Sequence, residues 1–158
     1  MTKIVLARVD DRLIHGQVMT AWIQYTGGNH IVIVDDVTAQ DDFTKQIMQM
    51  AVPAGIKLDI YNVQEAPQKI NANQTGKLII LAKTPQVFLQ LIQAQVALPG
   101  VIIGGMGANK GRQKVYKNIF MNAAEKQAVQ AIGAQGVEVK IQVIPDEKAL
   151  SIEKVDLN

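Results

Sequence analysis

The stretch RVDDRLIHGQV, residues 8–18, contains several side chains that can bind or react with a charged group. It places His15, one of only two histidines in the chain, shortly after a cluster of charged residues, Asp10, Asp11 and Arg12. Neutral imidazole keeps a lone pair near pH 7, so a histidine can act as a nucleophile or as an acid or base. The guanidinium of Arg12 can hold phosphate oxygens, while Asp10 or Asp11 can fix the imidazole tautomer or hold Arg12. The alternative is a surface histidine that caps a helix beside ordinary ion pairs.

The residues on either side of this stretch indicate how it is positioned. Residues 4–9 form a short β-branched run typical of a strand, and a helical pattern begins near Gly16. In an open parallel sheet, ligands bind outside the carboxyl ends of the strands, which is where residues 10–16 would lie. The free N–H groups at the start of a helix favour an anion, so we expect Gly16 and Gln17 to help bind phosphate.

Short apolar runs alternate with helical patterns along the chain. Strands are predicted at residues 4–9, 30–35, 56–61, 77–82 and 101–103, with a half-exposed strand in residues 137–145. Five helices are predicted from shared apolar faces or capping signals: Val18, Trp22 and Tyr25; Phe43, Ile47 and Met50; residues 65–71; Thr84 with Pro85; Asn122 with Glu125. These elements predict a single α/β domain over residues 1–158, with an open, mostly parallel sheet, helices on both faces and an antiparallel edge near the C-terminus.

A glycine-rich, basic segment, GGMGANKGRQKVYKN, follows the strand predicted at residues 101–103. It matches neither the dinucleotide fingerprint nor the Walker phosphate loop, because the glycine spacing is wrong and no Gly-Lys-Ser/Thr occurs. Its positive charge is dense, with Lys110, Arg112, Lys114 and Lys117 close together. We expect Lys110, Arg112 and Lys114 to form a basic rim near His15 that binds an acidic partner, the alternative being a solvated turn or hairpin.

A pair of aspartates and the second histidine are further candidates for a chemical role. Asp35 and Asp36 follow a predicted strand, where paired carboxylates can bind magnesium or act as acid and base. They can equally cap the next helix and offset the basic rim. His30 begins a strand, has no charged neighbour in sequence and is predicted to be structural.

Composition excludes several classes of function. The 158 residues carry 16 Lys and Arg against 14 Asp and Glu, and a net charge of +2 is too small to indicate nucleic-acid binding. The chain has no cysteine, which fits a reducing compartment and excludes thiolate chemistry and cysteine zinc sites. The N-terminal residues do not resemble a signal peptide and no apolar run is long enough to span a bilayer, so we expect a soluble protein.

Residues 8–18, followed by Trp22, resemble the N-terminal signature of the IIB components of the mannose/fructose/sorbose family of the bacterial sugar phosphotransferase system. Similar segments continue along the chain: IVIVDD at 31–36, AKTP at 82–85, GGM at 104–106 and VEVKIQVIPDEK at 137–148. The resemblance implies an open α/β domain that carries phosphate on His15. It also implies transfer from the phosphohistidine of a IIA partner to a sugar that the membrane IIC and IID components move, and a cytoplasmic location at the inner face of the plasma membrane.

In this mechanism His15 is the nucleophile, and Arg12 with the N–H groups near Gly16 and Gln17 holds the phosphate oxygens. Asp10 orients Arg12 or the imidazole. Transfer between two histidines exchanges like for like, so we expect no metal and no other cofactor. Two alternatives remain: a metal-assisted enzyme with His15 as general base and Asp35 and Asp36 as metal ligands, or a regulatory module that binds a nucleotide or phosphate.

Overall fold

The computed structural model describes residues 3–73 and 75–158. Within these residues the strands are β1 (Ile4–Asp10), β2 (His30–Val34), β3 (Lys57–Tyr61), β4 (Leu78–Ala82), β5 (Val101–Gly105), β6 (Gln113–Tyr116), β7 (Ile119–Met121), β8 (Val139–Ile141) and β9 (Leu150–Ser151). A seven-stranded sheet has the order β3-β2-β4-β1-β5-β8-β9, and β6 and β7 form a separate antiparallel hairpin. All neighbours in the large sheet are parallel except β8 and β9.

The five strands predicted before residue 104 are confirmed, with ends shifted by one or two residues. Every residue of β2 and β4 is buried, which explains why these strands are continuous apolar runs without alternation. The antiparallel edge near the C-terminus is also confirmed. The half-exposed strand of residues 137–145 shortens to β8, because the chain turns away after Ile141 and returns as β9.

Helices cover both faces of the sheet. They are α1 (Gly16–Thr26), α2 (Asp36–Ala39), α3 (Asp42–Ala51), α4 (Ala66–Ala72), α5 (Pro85–Gln93) and α6 (Ala123–Ala134), and a 3₁₀ turn spans Ile152–Lys154. One buried cluster includes residues of α4, α5 and α6, and a second, which includes Met19 and Trp22 of α1, lies on the other face. In the described part of the chain, no helix is long and apolar enough to cross a membrane.

The helix starts follow the predicted signals with one difference. Asn122 and Glu125 form the full capping box at the start of α6. Thr84 precedes α5 and Pro85 is its first residue, but the Thr84 side chain makes no capping hydrogen bond. The apolar face that Phe43, Ile47 and Met50 share on α3 is exposed to solvent, and Met48 provides a contact with the core.

Candidate functional site

His15 lies at the carboxyl edge of the sheet, between the end of β1 and the start of α1. Leu13 has a positive φ of 57°, which is costly for a residue other than glycine, and Gly16 has a φ of 44°. The side chains of Leu13 and Ile14 are buried in the core on the α1 side of the sheet. This packing anchors the loop to the core directly before His15.

The imidazole of His15 is paired with the carboxylate of Asp10. Nε2 lies 2.8 Å from Asp10 Oδ2, and the Asp10 side chain is fully buried. Burial alone would raise the pKa of Asp10, but hydrogen bonds from His15 and from the Arg12 backbone outweigh it, so the pKa is below its ordinary value. An ionised carboxylate accepts from Nε2–H, which leaves the lone pair on Nδ1. Among residues 3–73 and 75–158, Nδ1 has no hydrogen-bond partner.

Asp10 is also held by two arginines that lie in different surroundings. Buried Arg8 donates from Nη2 to Asp10 Oδ2 over 3.3 Å and from Nη1 to the Gln142 carbonyl over 3.0 Å. Arg12 donates its backbone N–H to Asp10 Oδ1 over 3.0 Å, while its side chain, with Nε 3.4 Å from the same oxygen, is 58% exposed. Arg8 therefore neutralises the Asp10 carboxylate from the buried side of the site, whereas the Arg12 side chain remains more than half exposed to solvent.

Gly104 and Gly105, at the end of β5, allow this close arrangement. A Cβ at Gly104 would collide with the guanidinium of Arg8, and one at Gly105 would lie 2.7 Å from Asp10 Oδ1. Both positions therefore need glycine for steric reasons. The glycines of the GGM segment make room for the charged core of the site and do not form a phosphate loop.

The predicted phosphate-binding residues Gly16 and Gln17 begin α1 directly after His15, and both are exposed. In the first turn of a helix the backbone N–H groups have no intrahelical partner. Gly16 and Gln17 therefore lie at a helix start, where backbone N–H groups can bind an anion. Arg12 and Asp11 also line a cavity of about 410 Å³ that includes Tyr116 and Lys117.

The basic segment does not form the exposed rim that its sequence predicts. Lys110 and Lys114 are exposed, but the Arg112 side chain is only 5% exposed. Its guanidinium lies 2.7 Å from Glu125 Oε2 and 3.0 Å from Asp11 Oδ2. Hydrogen bonds to Glu125 raise the pKa of Arg112 above its ordinary value and keep the group charged. The expectation that Arg112 lies on an accessible basic rim is therefore wrong, because its guanidinium is buried and paired with Asp11 and Glu125.

Asp35 and Asp36 take up structural positions. Asp35 caps α2 by accepting from the Thr38 N–H over 3.0 Å, and it pairs with Lys83 at 3.3 Å. Asp36 accepts from the Val63 N–H over 2.8 Å. The capping role of Asp35 is confirmed. Its ion-pair partner is Lys83, which follows the neighbouring strand β4, and not a residue of the basic segment. Residues 3–73 and 75–158 contain no group of three or more metal-binding side chains.

His30 has a charged partner that its sequence neighbours do not reveal. Its Nε2 lies 2.7 Å from Asp59 Oδ2, because β2 and β3 are adjacent, and its side chain is 6% exposed. Its Nδ1 lies 3.4 Å from the Asn73 amide nitrogen. This burial is consistent with a structural role for His30. His30 lacks a charged neighbour only in the sequence, because Asp59 contacts it in the folded chain.

Several residues of the site carry no recognisable motif of their own. Gln142 contacts Arg8 and Arg112 contacts Asp11 only in the folded chain, and Glu125, which holds Arg112, is identifiable in sequence only as a capping residue. The pair of glycines directly after a strand was the one available signal. It indicates close packing against a backbone, but it does not identify the side chain that packs there.

Comparison with known proteins defines the class. The family described as the PTS system sorbose subfamily IIB component matches residues 4–158. The chain therefore belongs to the IIB components of the mannose/fructose/sorbose family of the sugar phosphotransferase system, as its signature predicted.

Individual relatives agree with this assignment. The chain is 31% identical over 156 residues to the N-acetylgalactosamine-specific phosphotransferase enzyme IIB component 2 of Escherichia coli K12, covering 98% of this chain and 99% of that protein. It is 28% identical over 159 residues to the mannose-specific EIIAB component of the same organism, covering 97% of this chain and 49% of that protein. The crystal structure of the IIBSor domain of the Klebsiella pneumoniae sorbose permease superimposes with a TM-score of 0.90 at 27% identity, covering 95% of this chain and 93% of that one.

Proposed function

We propose that this IIB component carries a phosphoryl group on Nδ1 of His15. It would accept the group from the phosphohistidine of a IIA partner and pass it to a sugar during uptake through the membrane IIC and IID components. The observation that carries the proposal is the 2.8 Å contact between Asp10 and Nε2, which directs the free lone pair to Nδ1. The proposed location is the cytoplasm, at the inner face of the membrane.

The charges of the site suit both steps, the transfer to His15 and the transfer from His15 to the sugar. When Nδ1 attacks phosphorus, the donor P–N bond breaks and the donor imidazole becomes neutral, while the His15 ring becomes cationic and keeps its proton on Nε2. The buried Asp10 carboxylate stabilises that cation. Arg12 and the N–H groups of Gly16 and Gln17 stabilise the phosphoryl oxygens. When a sugar hydroxyl takes the phosphoryl group, its proton is released to water and Nδ1 recovers its lone pair. Neither transfer needs a metal or another cofactor.

The test uses the two histidines as internal controls. The chain is incubated with phosphoenolpyruvate, the general phosphotransferase proteins and a IIA protein, and its intact mass is measured. The wild type should gain one acid-labile phosphoryl group, His15→Ala should gain none, and His30→Asn should still gain one. An acid-labile gain in the His15 variant, or its absence in a folded His30 variant, refutes the assignment.

A IIA partner is supported by the mannose-specific EIIAB relative, whose name joins the A and B components. We propose that Lys110 and Lys114, which are exposed, bind an acidic surface of this partner. Reversing both charges should weaken association about tenfold at low salt and less at high salt, as measured by calorimetry. Unchanged affinity at both salt concentrations would assign these lysines to a solvated hairpin.

A further inference from the structure

The histidine loop contains two adjacent aspartates, and a different arginine pairs with each of them. Arg8 pairs with Asp10 from within β1, and Arg112 pairs with Asp11 from the segment before β6. Both arginine side chains are buried, whereas the Arg12 side chain is 58% exposed. Three guanidinium groups thus surround the loop, and one of them remains largely open to a ligand.

The Arg112 guanidinium is fixed on two sides. Toward α6, Nε and Nη2 donate to the Glu125 carboxylate over 3.0 Å and 2.7 Å. Toward the loop, Nη1 donates to Asp11 Oδ2 and to the Gly107 carbonyl, each over 3.0 Å. Asp11 Oδ2 also accepts from the Gly107 N–H over 2.9 Å. Glu125 already uses both oxygens of its carboxylate on Arg112, so the bond to Asp11 is a separate connection to the histidine loop.

The position of Asp11 makes this connection important for chemistry. Asp11 precedes Arg12 in sequence, and both residues line the same cavity. A phosphoryl group adds close to two negative charges at neutral pH. An uncompensated Asp11 carboxylate would attract the exposed Arg12 guanidinium and repel the incoming phosphoryl group.

We propose that Arg112 is a positioning residue for phosphoryl transfer, which neutralises Asp11 and thereby keeps Arg12 available for the phosphoryl group on His15. This inference rests on the proposed function of His15. It assigns the three arginines separate tasks: Arg8 supports Asp10, Arg112 supports Asp11, and Arg12 contacts the phosphoryl group.

The test measures phosphorylation by potassium phosphoramidate, a small donor whose P–N bond breaks with release of ammonia, so that no partner protein is involved. Arg112→Gln should slow the gain of phosphoryl mass about tenfold. Adding Asp11→Asn to that variant should restore the rate to within about threefold of the wild type, because the uncompensated charge is gone. Lys126→Gln is the matched control: it removes a cation next to Glu125 on α6, and in the described part of the chain its side chain forms no ion pair. Its rate should be unchanged.

The rescue distinguishes positioning from a merely structural role, since Asp11→Asn leaves the buried Glu125 carboxylate without Arg112 and so would not repair damage to the packing at α6. A normal rate in folded Arg112→Gln, or a double variant as slow as the single one, overturns the inference. If Arg112→Gln fails to fold, Glu125→Gln is added to both variants so that no buried charge remains unpaired on α6, and the same comparison is made. If the wild type gains no phosphoryl group on His15 from a IIA donor, the proposed function fails and this inference fails with it, whereas a wild type that is phosphorylated on His15 beside an equally fast Arg112→Gln overturns the inference alone.

Discussion

The two histidines each pair with an aspartate, but they differ in exposure and in the groups around the second ring nitrogen. Each places Nε2 against an aspartate, at 2.8 Å for His15 with Asp10 and 2.7 Å for His30 with Asp59. His30 begins β2 at the amino edge of the sheet, its side chain is 6% exposed, and Asn73 lies next to its Nδ1. His15 lies at the carboxyl edge and its side chain is 21% exposed, with Arg12 and the start of α1 beside it.

The comparison shows that a carboxylate on imidazole does not by itself make a reactive site. The His–Asp pair fixes the tautomer in both places. Reactivity further requires an open second nitrogen and a cation with helix N–H groups where the transferred group will lie. The carboxyl edge of the sheet offers these features beside His15, so we expect the same kind of pair to be structural at the amino edge and chemical at the carboxyl edge.

The largest expected effect comes from removing the carboxylate in each pair. Asp10→Asn should slow phosphorylation of His15 by about a hundredfold or more, because the amide neither stabilises the cationic ring nor fixes the tautomer. Asp59→Asn should leave the rate unchanged and lower the free energy of unfolding by about 1 kcal/mol. Rates from intact mass and stabilities from urea unfolding check both. Equal effects of the two substitutions on the rate would remove the distinction between the pairs.

A smaller effect is expected from Arg12→Lys, which keeps the charge but removes the planar fork of donors. Transfer to His15 should slow by about tenfold. The fold should change little, since the Arg12 side chain is largely exposed. Quenched time courses with a phosphorylated IIA protein give the rate of transfer, and thermal unfolding checks that the fold is unchanged. A lysine variant as fast as the wild type would exclude Arg12 from binding the phosphoryl oxygens.

The smallest effect concerns stability at low pH. The pKa of Asp10 is lower in the folded chain than its ordinary value, so its contribution to stability is complete above the ordinary carboxyl pKa near 4 and is lost as the pH falls through the folded value. Asp10→Asn lacks this contribution. Its free energy of unfolding should fall less steeply below about pH 4, by at most about 1.4 kcal/mol per pH unit for one proton. Parallel curves for the two proteins would contradict an Asp10 held in its charged form.

The sequence predicts what depends on local order. The buried strands appear as apolar runs, and Asn122 with Glu125 indicates the start of α6. His15 is identifiable because its loop residues are contiguous. The supporting contacts are not, since Arg8 reaches a carbonyl 134 positions away and Arg112 reaches an aspartate 101 positions away.

The same limit explains the two corrected expectations. In sequence, Arg112 is one of several cations in a hydrophilic segment, and nothing local shows that the segment folds back onto Asp11 and Glu125. His30 likewise has no charged neighbour until β2 and β3 pair and bring Asp59 to it. Hydrophobic periodicity and capping signals describe single helices or strands. The contacts of Arg112 and of His30 depend instead on which elements become neighbours in the fold.

The hydrogen bond from Arg8 to the Gln142 carbonyl has a consequence for the order of assembly. Residues 8–18 are synthesised well before Gly104, Gly105, Arg112, Glu125 and Gln142. Until then Arg8 lacks the Gln142 carbonyl and Asp11 lacks Arg112. The nascent chain thus holds a complete motif and an incomplete site, and the histidine loop becomes fully supported only when the chain has been synthesised as far as Gln142.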